Sequence, residues 1–145
     1  MRIAVGADHA GFELKEHLRA VLAQAGHEVD DLGTRSAEST DYPDWAHRVA
    51  EAVAGGAAER GLLVCGTGVG MAIAANRHRG VRAAACNDLY TARLARAHND
   101  ANLLALGARI VAPALAEAIL AAFVETPFEG GRHSRRVAKL DGSGS

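Results

Sequence analysis

The chain has few cysteines, few aromatic residues and no excess of charge of either sign. Its 145 residues include two cysteines, and aromatic side chains make up 4% of the sequence. Cys65 and Cys86 are too few for a disulfide framework and lack the C-x-x-C spacing of a zinc or thiol-redox site. The formal net charge of -1 lacks the basic excess typical of nucleic-acid-binding proteins. These absences favour a globular protein of the reducing cytoplasm that acts on a small molecule and not on nucleic acid.

Long apolar runs are also missing. The amino-terminal stretch MRIAVGADHAG has no continuous apolar segment of signal-peptide length, and ALAEAILAAFV is short and interrupted by Glu117. We therefore expect neither export nor insertion into a membrane. A length of 145 residues fits a single domain, residues 1–145, with a core of ordinary size. Only the terminal DGSGS is expected to be disordered.

Strand-like and helix-like segments alternate along the sequence. Helical periodicity follows most of the strand candidates, with Pro43 and Pro113 near two helix starts and Asp88 as a cap. This alternation predicts βαβ units and an α/β fold: a three-layer αβα sandwich with a doubly wound, Rossmann-like parallel sheet of about five strands. The last three strand candidates are apolar runs of the kind buried on both faces of a sheet. The candidates are RIAVGAD, HEVDDLG, GLLVCG, GVRAAAC and NLLALG.

The stretch VCGTGVGMAIAANR, residues 64–77, places three glycines on alternate positions behind Cys65. A dinucleotide fingerprint requires a glycine where Met71 stands, a cysteine phosphatase requires an arginine there, and a Walker loop requires a Gly-Lys-Ser/Thr ending. Only the dinucleotide pattern matches in part, with Asp88 at a suitable distance for a ribose contact. The loop also offers backbone N–H groups beside a thiol, which can favour a thiolate and stabilise an oxyanion. A packed, purely structural cysteine is the alternative.

Five sequence blocks, spread over essentially the whole chain, resemble one family in the same order. They are GADHAGFELK, DYPDWA, VCGTGVGMAIAANR, ARAHNDANLLALGAR and EGGRHSRRV. With these blocks the chain resembles the type B ribose-5-phosphate isomerases, a family that also contains the galactose-6-phosphate isomerase subunits. The resemblance implies an enzyme of the pentose phosphate pathway that needs neither metal nor cofactor. It would interconvert ribose 5-phosphate and ribulose 5-phosphate through ring opening and a cis-enediolate.

The resemblance also implies roles for single residues. Cys65 matches the family's general base, which moves a proton from C2 to C1, and His98 matches the residue that opens the furanose ring. Met71 stands where a second type of the family carries a glutamate base, so this chain resembles the cysteine type. The Thr67 hydroxyl and the backbone of the loop would hold the enediolate. The loop residues are Gly66, Thr67, Gly68, Val69 and Gly70.

Binding of the sugar and its phosphate would fall to residues elsewhere in the chain. By the same resemblance Asp8 and Asn99 hold sugar hydroxyls, and Tyr42 lines the same pocket. Each has a structural alternative: a helix cap for Asp8, a helix end for Asn99 and simple packing for Tyr42. Two arginines at i and i+4 on one helical face can reach one phosphate dianion, although a solvated basic surface is the alternative. The phosphate-site candidates are His9, Arg109, Arg132 and Arg136.

The resemblance further implies a homodimer, or a dimer of dimers, in which the carboxyl-terminal arm, residues 130–140, packs on the partner subunit. Two other functions remain open. One is isomerisation of a six-carbon sugar phosphate, allose 6-phosphate or galactose 6-phosphate; the other is a non-catalytic nucleotide-binding module that uses GTGVG and Asp88. The remaining histidines lack metal-ligand spacing and are expected mostly at the surface. They are His17, His27, His47, His78 and His133.

Overall fold

The computed structural model describes residues 1–142, so residues 143–145 of the expected disordered end lie outside the described residues. Strands and helices alternate as predicted up to the last helix, which follows another helix directly. Pro43 and Pro113 lie in the first turns of α2 and α5. The elements are β1 (Arg2–Ala7), α1 (Phe12–Gln24), β2 (Glu28–Asp31), α2 (Tyr42–Ala54), β3 (Arg60–Cys65), α3 (Val69–Ala75), β4 (Ala83–Ala85), α4 (Leu89–Ala97), β5 (Leu103–Gly107), α5 (Pro113–Glu125) and α6 (Arg132–Leu140).

The strands form one parallel sheet in the order β2-β1-β3-β5-β4. Because successive side chains of a strand point to opposite faces, the central strands feed two separate apolar clusters. Helices α1, α4 and α5 pack against one cluster, and α2 and α3 against the other. The predicted three-layer, doubly wound α/β fold is confirmed. No helix within residues 1–142 is long and apolar enough to cross a membrane.

Strand β4 departs from the expectation that GVRAAAC is buried on both faces. The strand covers only Ala83–Ala85 and lies at the edge of the sheet, where Ala85 is exposed. An edge strand has a neighbour on one side only. A methyl side chain also gains little from burial, so a run of alanines fits an edge as well as a centre.

Strands β1 and β3 lie side by side, yet the helices that follow them cover opposite faces of the sheet. Open α/β sheets bind ligands at such a switch point, beyond the carboxyl ends of the strands. Asp8 follows β1 there, and Cys65, the last residue of β3, is in register with Gly107 of β5. We call the side of the sheet where the strands end the carboxyl edge, and the side where they begin the amino edge.

Candidate active site

Cys65 lies at the carboxyl edge and is 5% exposed. The Gly68 N–H donates to its Sγ across 3.2 Å. Gly68 has a φ of 84°, and a Cβ there would lie 3.1 Å from the Ala105 backbone. Glycine adopts this left-handed conformation without a steric penalty. The chain can therefore turn back over the sulfur at this position.

The N–H groups of the glycine loop fall into two sets. The Gly68 N–H is engaged by the thiol, and the Val69 N–H donates to Thr67 Oγ1 across 3.2 Å. The N–H groups of Gly66, Thr67 and Gly70 have no acceptor among residues 1–142. Of the five loop residues expected to form the oxyanion hole, only three therefore have an N–H group that is open to a developing negative charge.

Tyr42 and Arg109 flank this loop. A Cβ on Gly70 would lie 2.8 Å from the Tyr42 ring, and a Cβ on Gly66 would lie 3.2 Å from Arg109 Nη1. The two glycines thus let a phenol and a guanidinium approach the backbone closely. Arg109 follows β5 and is held in place by its own N–H, which donates to the Gly66 carbonyl across 3.1 Å. The loop therefore has a hydrogen-bonding group on one side and a cation on the other.

Asp8 and His9 complete the carboxyl edge. Asp8 Oδ1 accepts the Gly11 N–H across 3.1 Å in the turn before α1, but Gly11 is the N-cap of α1 and no side chain caps the helix, so Asp8 orders the turn rather than capping α1. His9 Nδ1 lies 3.2 Å from both the nitrogen and the oxygen of the Thr40 backbone. The Trp45 indole N–H donates to Thr40 Oγ1 across 3.0 Å. The segment before α2 therefore fixes the orientation of the His9 ring.

His98 and Asn99 lie at the opposite, amino edge of the sheet. Helix α4 starts at the carboxyl edge and runs antiparallel to the strands, so its C-cap His98 lies near the beginnings of β4 and β5. Asn102, directly before β5, lies at this amino edge, because its Oδ1 accepts the N–H of Arg82, directly before β4, across 2.7 Å. The five residues of β5 span about 16 Å, at roughly 3.3 Å per residue. Within one chain, His98 and Asn99 are therefore far from Cys65.

Helix α6 lies at the same amino edge. Arg132 and Arg136 are both exposed, and Arg136 lines a cleft of about 380 Å³ together with His98 and Asn99. The structure thus divides the sequence-predicted residues into two sets. The carboxyl-edge set contains Asp8, His9, Tyr42, Cys65, Gly66, Thr67, Gly68, Val69, Gly70 and Arg109, and the amino-edge set contains His98, Asn99, Arg132 and Arg136.

His133 is buried, so the expectation that the remaining histidines lie mostly at the surface is wrong for this residue. It is 7% exposed, and its ring stacks on His98 with 4.2 Å between centroids and 13° between planes. Burial, and then the neighbouring His98 and Arg132, lowers the pKa of His133, which keeps this ring neutral at pH 7. Glu129 Oε1 lies 3.6 Å from His98 Nε2. Of the other four, His17 is exposed and His27, His47 and His78 are half-buried.

The side chains of His98, Glu129 and His133 place their ligand atoms within 4.8 Å of one another. Two imidazoles and a carboxylate are a donor set that can bind zinc. However, the lone pair of an imidazole nitrogen lies in the ring plane, and the planes of these stacked rings are only 13° apart. Their lone pairs do not converge on one point, so a shared ion would require one ring to turn. The ring stack, with Glu129 Oε1 3.6 Å from His98 Nε2 and 3.9 Å from His133 Nε2, holds the His98 ring in a fixed orientation.

Cys86 and Asp88, at the end of β4, have structural roles. Burial, and then the nearby Asp88, raises the pKa of Cys86 to about 11, so it remains a thiol. Asp88 accepts the Thr91 N–H across 2.7 Å and the Thr91 hydroxyl across 2.8 Å, and these bonds lower its pKa. Both carboxylate oxygens are engaged in capping α4, as the sequence predicts. This weakens the nucleotide-binding alternative, which requires Asp88 for a ribose contact.

Comparisons with known proteins identify the family and the fold. Residues 3–140 match the family model described as Ribose/Galactose Isomerase. The chain is 52% identical to ribose-5-phosphate isomerase B of Escherichia coli (strain K12), covering 96% of this chain and 93% of that protein. It is 43% identical to D-erythrulose-4-phosphate isomerase of Pectobacterium atrosepticum, with 97% and 93% covered. The fold superposes on the crystal structure of a ribose 5-phosphate isomerase from Thermotoga maritima with a TM-score of 0.95, at 52% identity and 97% coverage of both chains.

Proposed function

The chain belongs to the ribose/galactose isomerase family, and on that premise we propose that it interconverts ribose 5-phosphate and ribulose 5-phosphate. The observation that carries this proposal is the setting of Cys65. Its sulfur accepts the Gly68 N–H across 3.2 Å and lies beside the open N–H groups of the glycine loop. Enolisation of a sugar requires such a pairing of a base with donors for the developing charge.

In the proposed reaction, Cys65 acts as the general base on the open-chain aldose. The thiolate takes the proton from C2, the electron pair of that bond forms the C1–C2 double bond, and the C1 oxygen becomes negatively charged. The open N–H groups of Gly66, Thr67 and Gly70 then stabilise this cis-enediolate. Moving a proton from O2 to O1 and returning the proton of Cys65 to C1 yields the ketose.

The Thr67 hydroxyl is suited to contact the reacting oxygens. Its oxygen already accepts the Val69 N–H across 3.2 Å, which uses an acceptor site and leaves the hydroxyl hydrogen to be donated. A hydroxyl has one hydrogen to donate and two acceptor lone pairs. Thr67 can therefore donate to a substrate oxygen while the loop holds it in place.

The complete site requires two copies of the chain. His98 has to reach the sugar ring to open it, yet within one chain the length of the strands, from the amino edge to the carboxyl edge, separates it from Cys65. In a twofold dimer, the carboxyl edge of one subunit can meet the amino edge of the other, and symmetry then creates two equivalent sites. The chain would thus act as a homodimer in which α6 of one subunit supplies Arg132 and Arg136 to the phosphate site of the other.

Exposed apolar side chains support this dimer. Val69 and Ile73 are 52% and 53% exposed on the same side of α3, and Tyr42 beside them is 43% exposed. At the amino edge, Leu140 at the end of α6 is 65% exposed. Burial of such groups stabilises an interface by roughly 25 cal/mol per Å² of apolar surface. The apolar groups thus lie next to both sets of site residues, where contact between two subunits would complete the site.

The length of the sugar is the finer part of the proposal. Relatives named for a pentose phosphate and for a four-carbon ketose phosphate match this chain over similar lengths. The higher identity to the ribose enzyme, 52% against 43%, favours the pentose, and a six-carbon phosphate such as allose 6-phosphate or galactose 6-phosphate remains the second candidate. The reaction belongs to the pentose phosphate pathway, and two free cysteines suit a reducing cytoplasm.

Deuterium exchange tests the proposed reaction. Ribose 5-phosphate incubated with the protein in heavy water should gain deuterium at the carbon next to the carbonyl, and a chelator should not stop the exchange. Cys65→Ala should slow the exchange by at least about 10²-fold, the usual contribution of a general base. The matched control Cys86→Ala, which changes the other buried cysteine, should retain it.

Three results would contradict the proposal. Undiminished exchange in Cys65→Ala would remove the base. Saturable nucleotide binding without isomerisation of any sugar phosphate would favour the binding module. A higher kcat/KM on allose or galactose phosphate than on ribose 5-phosphate, measured with one preparation, would overturn the choice of the pentose.

A further inference from the structure

Asn87 joins the end of β4 to the glycine loop and to the end of β5. Its Oδ1 accepts the Gly107 N–H across 2.8 Å, and its Nδ2 donates to the Thr67 carbonyl across 3.1 Å. Both partners are backbone groups with a single possible role, so they determine which side of the amide carries the oxygen. Asn87 is half-buried, and the sequence analysis assigned it no role in the site.

The carbonyl that accepts from Asn87 belongs to the peptide bond between Thr67 and Gly68. A trans peptide is planar, and its C=O and N–H point in opposite directions. The C=O points to the Asn87 amide, and the N–H of the same peptide donates to Cys65 Sγ across 3.2 Å. A side chain that follows β4, two strands away from β3, thereby sets the direction of the hydrogen bond received by the sulfur.

Gly68 makes this orientation dependent on Asn87. Its φ of 84° lies in the region that glycine occupies as readily as ordinary backbone conformations. Without the bond from Asn87, the peptide before Gly68 can rotate so that its carbonyl oxygen, rather than its N–H, faces the sulfur. A carbonyl dipole in that direction disfavours a thiolate.

We propose that Asn87 is a positioning residue, which holds the Thr67–Gly68 peptide in the orientation that lets its N–H stabilise the Cys65 thiolate. Its importance for catalysis rests on the proposed function of Cys65 as the base. Its effect on the sulfur is separate and can be measured without substrate.

A matched control exists in the same chain. Asn76, at the end of α3, makes the same kind of bridge: its Oδ1 accepts the Ala83 N–H across 2.8 Å, and its Nδ2 donates to the Ala83 carbonyl across 2.9 Å. It therefore also connects β4 to another element through two backbone bonds, but neither bond touches the glycine loop. Asn76→Ala should cost similar stability and leave the sulfur unaffected.

The experiment measures alkylation of Cys65 by iodoacetamide, followed by intact mass between pH 6 and 9.5, for the wild type, Asn87→Ala and Asn76→Ala. One hydrogen bond to a charged group is worth about tenfold in reactivity. Asn87→Ala should react about tenfold more slowly than the wild type at pH 7 and approach the wild-type rate at high pH. With ribose 5-phosphate, kcat should fall about tenfold and KM should change less than threefold. Asn76→Ala should match the wild type in both measurements.

Asn87→Asp separates the two bonds of Asn87. Aspartate has the same shape and keeps the acceptor for the Gly107 N–H, but it presents an oxygen instead of a donor to the Thr67 carbonyl. We expect Asn87→Asp to slow alkylation and turnover at least as much as Asn87→Ala does. It also provides a folded variant if the alanine protein is unstable.

Two results would overturn the role of Asn87. One is a wild-type alkylation profile in both Asn87 variants; the other is an equal change in Asn76→Ala. A wild-type protein that isomerises no sugar phosphate would overturn the proposed function instead, and the alkylation profiles would still decide whether Asn87 acts on the sulfur.

Discussion

A mixture of two inactive variants is expected to regain activity. Cys65→Ala removes the proposed base and His98→Gln removes the proposed ring-opening group, and these residues lie at opposite edges of the sheet. The five residues of β5 put about 16 Å between the edges, whereas a proton-transferring hydrogen bond requires about 3 Å. One chain cannot bring both groups to one sugar. The proposed reaction would therefore take Cys65 from one subunit and His98 from the other at each site.

The size of the recovery follows from twofold symmetry. A dimer of one Cys65→Ala chain and one His98→Gln chain has one site with both substitutions and one site with neither. Equal amounts of the two variants, exchanged at random, form about half heterodimers, each with half the wild-type activity, so the mixture should reach about a quarter of the wild-type rate. Each variant alone should retain less than about 1%, because acid–base groups typically contribute 10²–10⁴-fold.

The assay mixes the purified variants in mild denaturant, removes the denaturant, and follows formation of the ketose by NMR. Native mass spectrometry verifies that mixed dimers are present. The control pairs Cys65→Ala with Arg109→Ala, two residues of the carboxyl-edge set, so both sites of a mixed dimer carry a substitution and no activity should return. Absence of recovery in the Cys65 and His98 mixture, with mixed dimers present, would refute the two-subunit site. Equal recovery in the control would refute it as well.

Three further predictions follow from the structure. Asp31→Asn should lower the free energy of unfolding by about 3 kcal/mol at pH 7, the low end for a broken buried pair, because the fully buried Lys15 ammonium loses the carboxylate 2.7 Å away and keeps that of Glu16 at 3.4 Å. Burial by itself would raise the pKa of Asp31, but the hydrogen bonds from Lys15 and the Gly33 N–H outweigh it and lower the pKa below the ordinary value of 3.8. The stabilisation is therefore present above pH 3.8 and is lost as the pH falls through the lowered pKa. Urea unfolding at pH 3 should accordingly show a smaller difference between variant and wild type. Gly68→Ala should reduce kcat more than tenfold and cost about 1–2 kcal/mol of stability, since alanine is strained at a φ of 84°; a wild-type kcat and urea midpoint would contradict this. Iodoacetamide at pH 8 should modify Cys65 and spare Cys86, whose pKa burial raises to about 11, and mass spectra showing Cys86 modified in the folded protein would contradict the assigned burial.

Local pattern was sufficient for the order of strands and helices. The apolar runs that became β3 and β5 are continuous and bounded by glycine or polar residues, and helix starts were marked by Pro43, Asp88 and Pro113. The pattern was insufficient for the position of β4, because three alanines fit an edge and a centre equally well. Strand order depends on which neighbours pair across the sheet, and a single strand carries no record of its partners.

The glycine loop was predictable because its parts are consecutive. The thiol, the turn and the N–H groups all lie within residues 65–70, so spacing alone suggested an anion hole beside a base. Asn87 was not predictable in this way, since its bond to Thr67 joins residues 20 positions apart. The stack of His133 on His98 likewise joins two elements, α4 and α6, that only the fold brings together. Glu129 and His133 are four positions apart in the sequence, but that spacing gave no indication that His133 is buried.

The sequence by itself determined the fold class, the candidate base and the family resemblance, since periodicity, turn residues and contiguous motifs are local properties of a chain. Only the tertiary structure decided which edge of the sheet each residue occupies. Helix α4 runs antiparallel to the strands and therefore carries His98 and Asn99 away from Cys65 to the amino edge, where α6 adds Arg132 and Arg136. A linear sequence contains both sets of residues, but the direction in which each helix crosses the sheet separates them within one chain, which is why the proposed function calls for a second subunit.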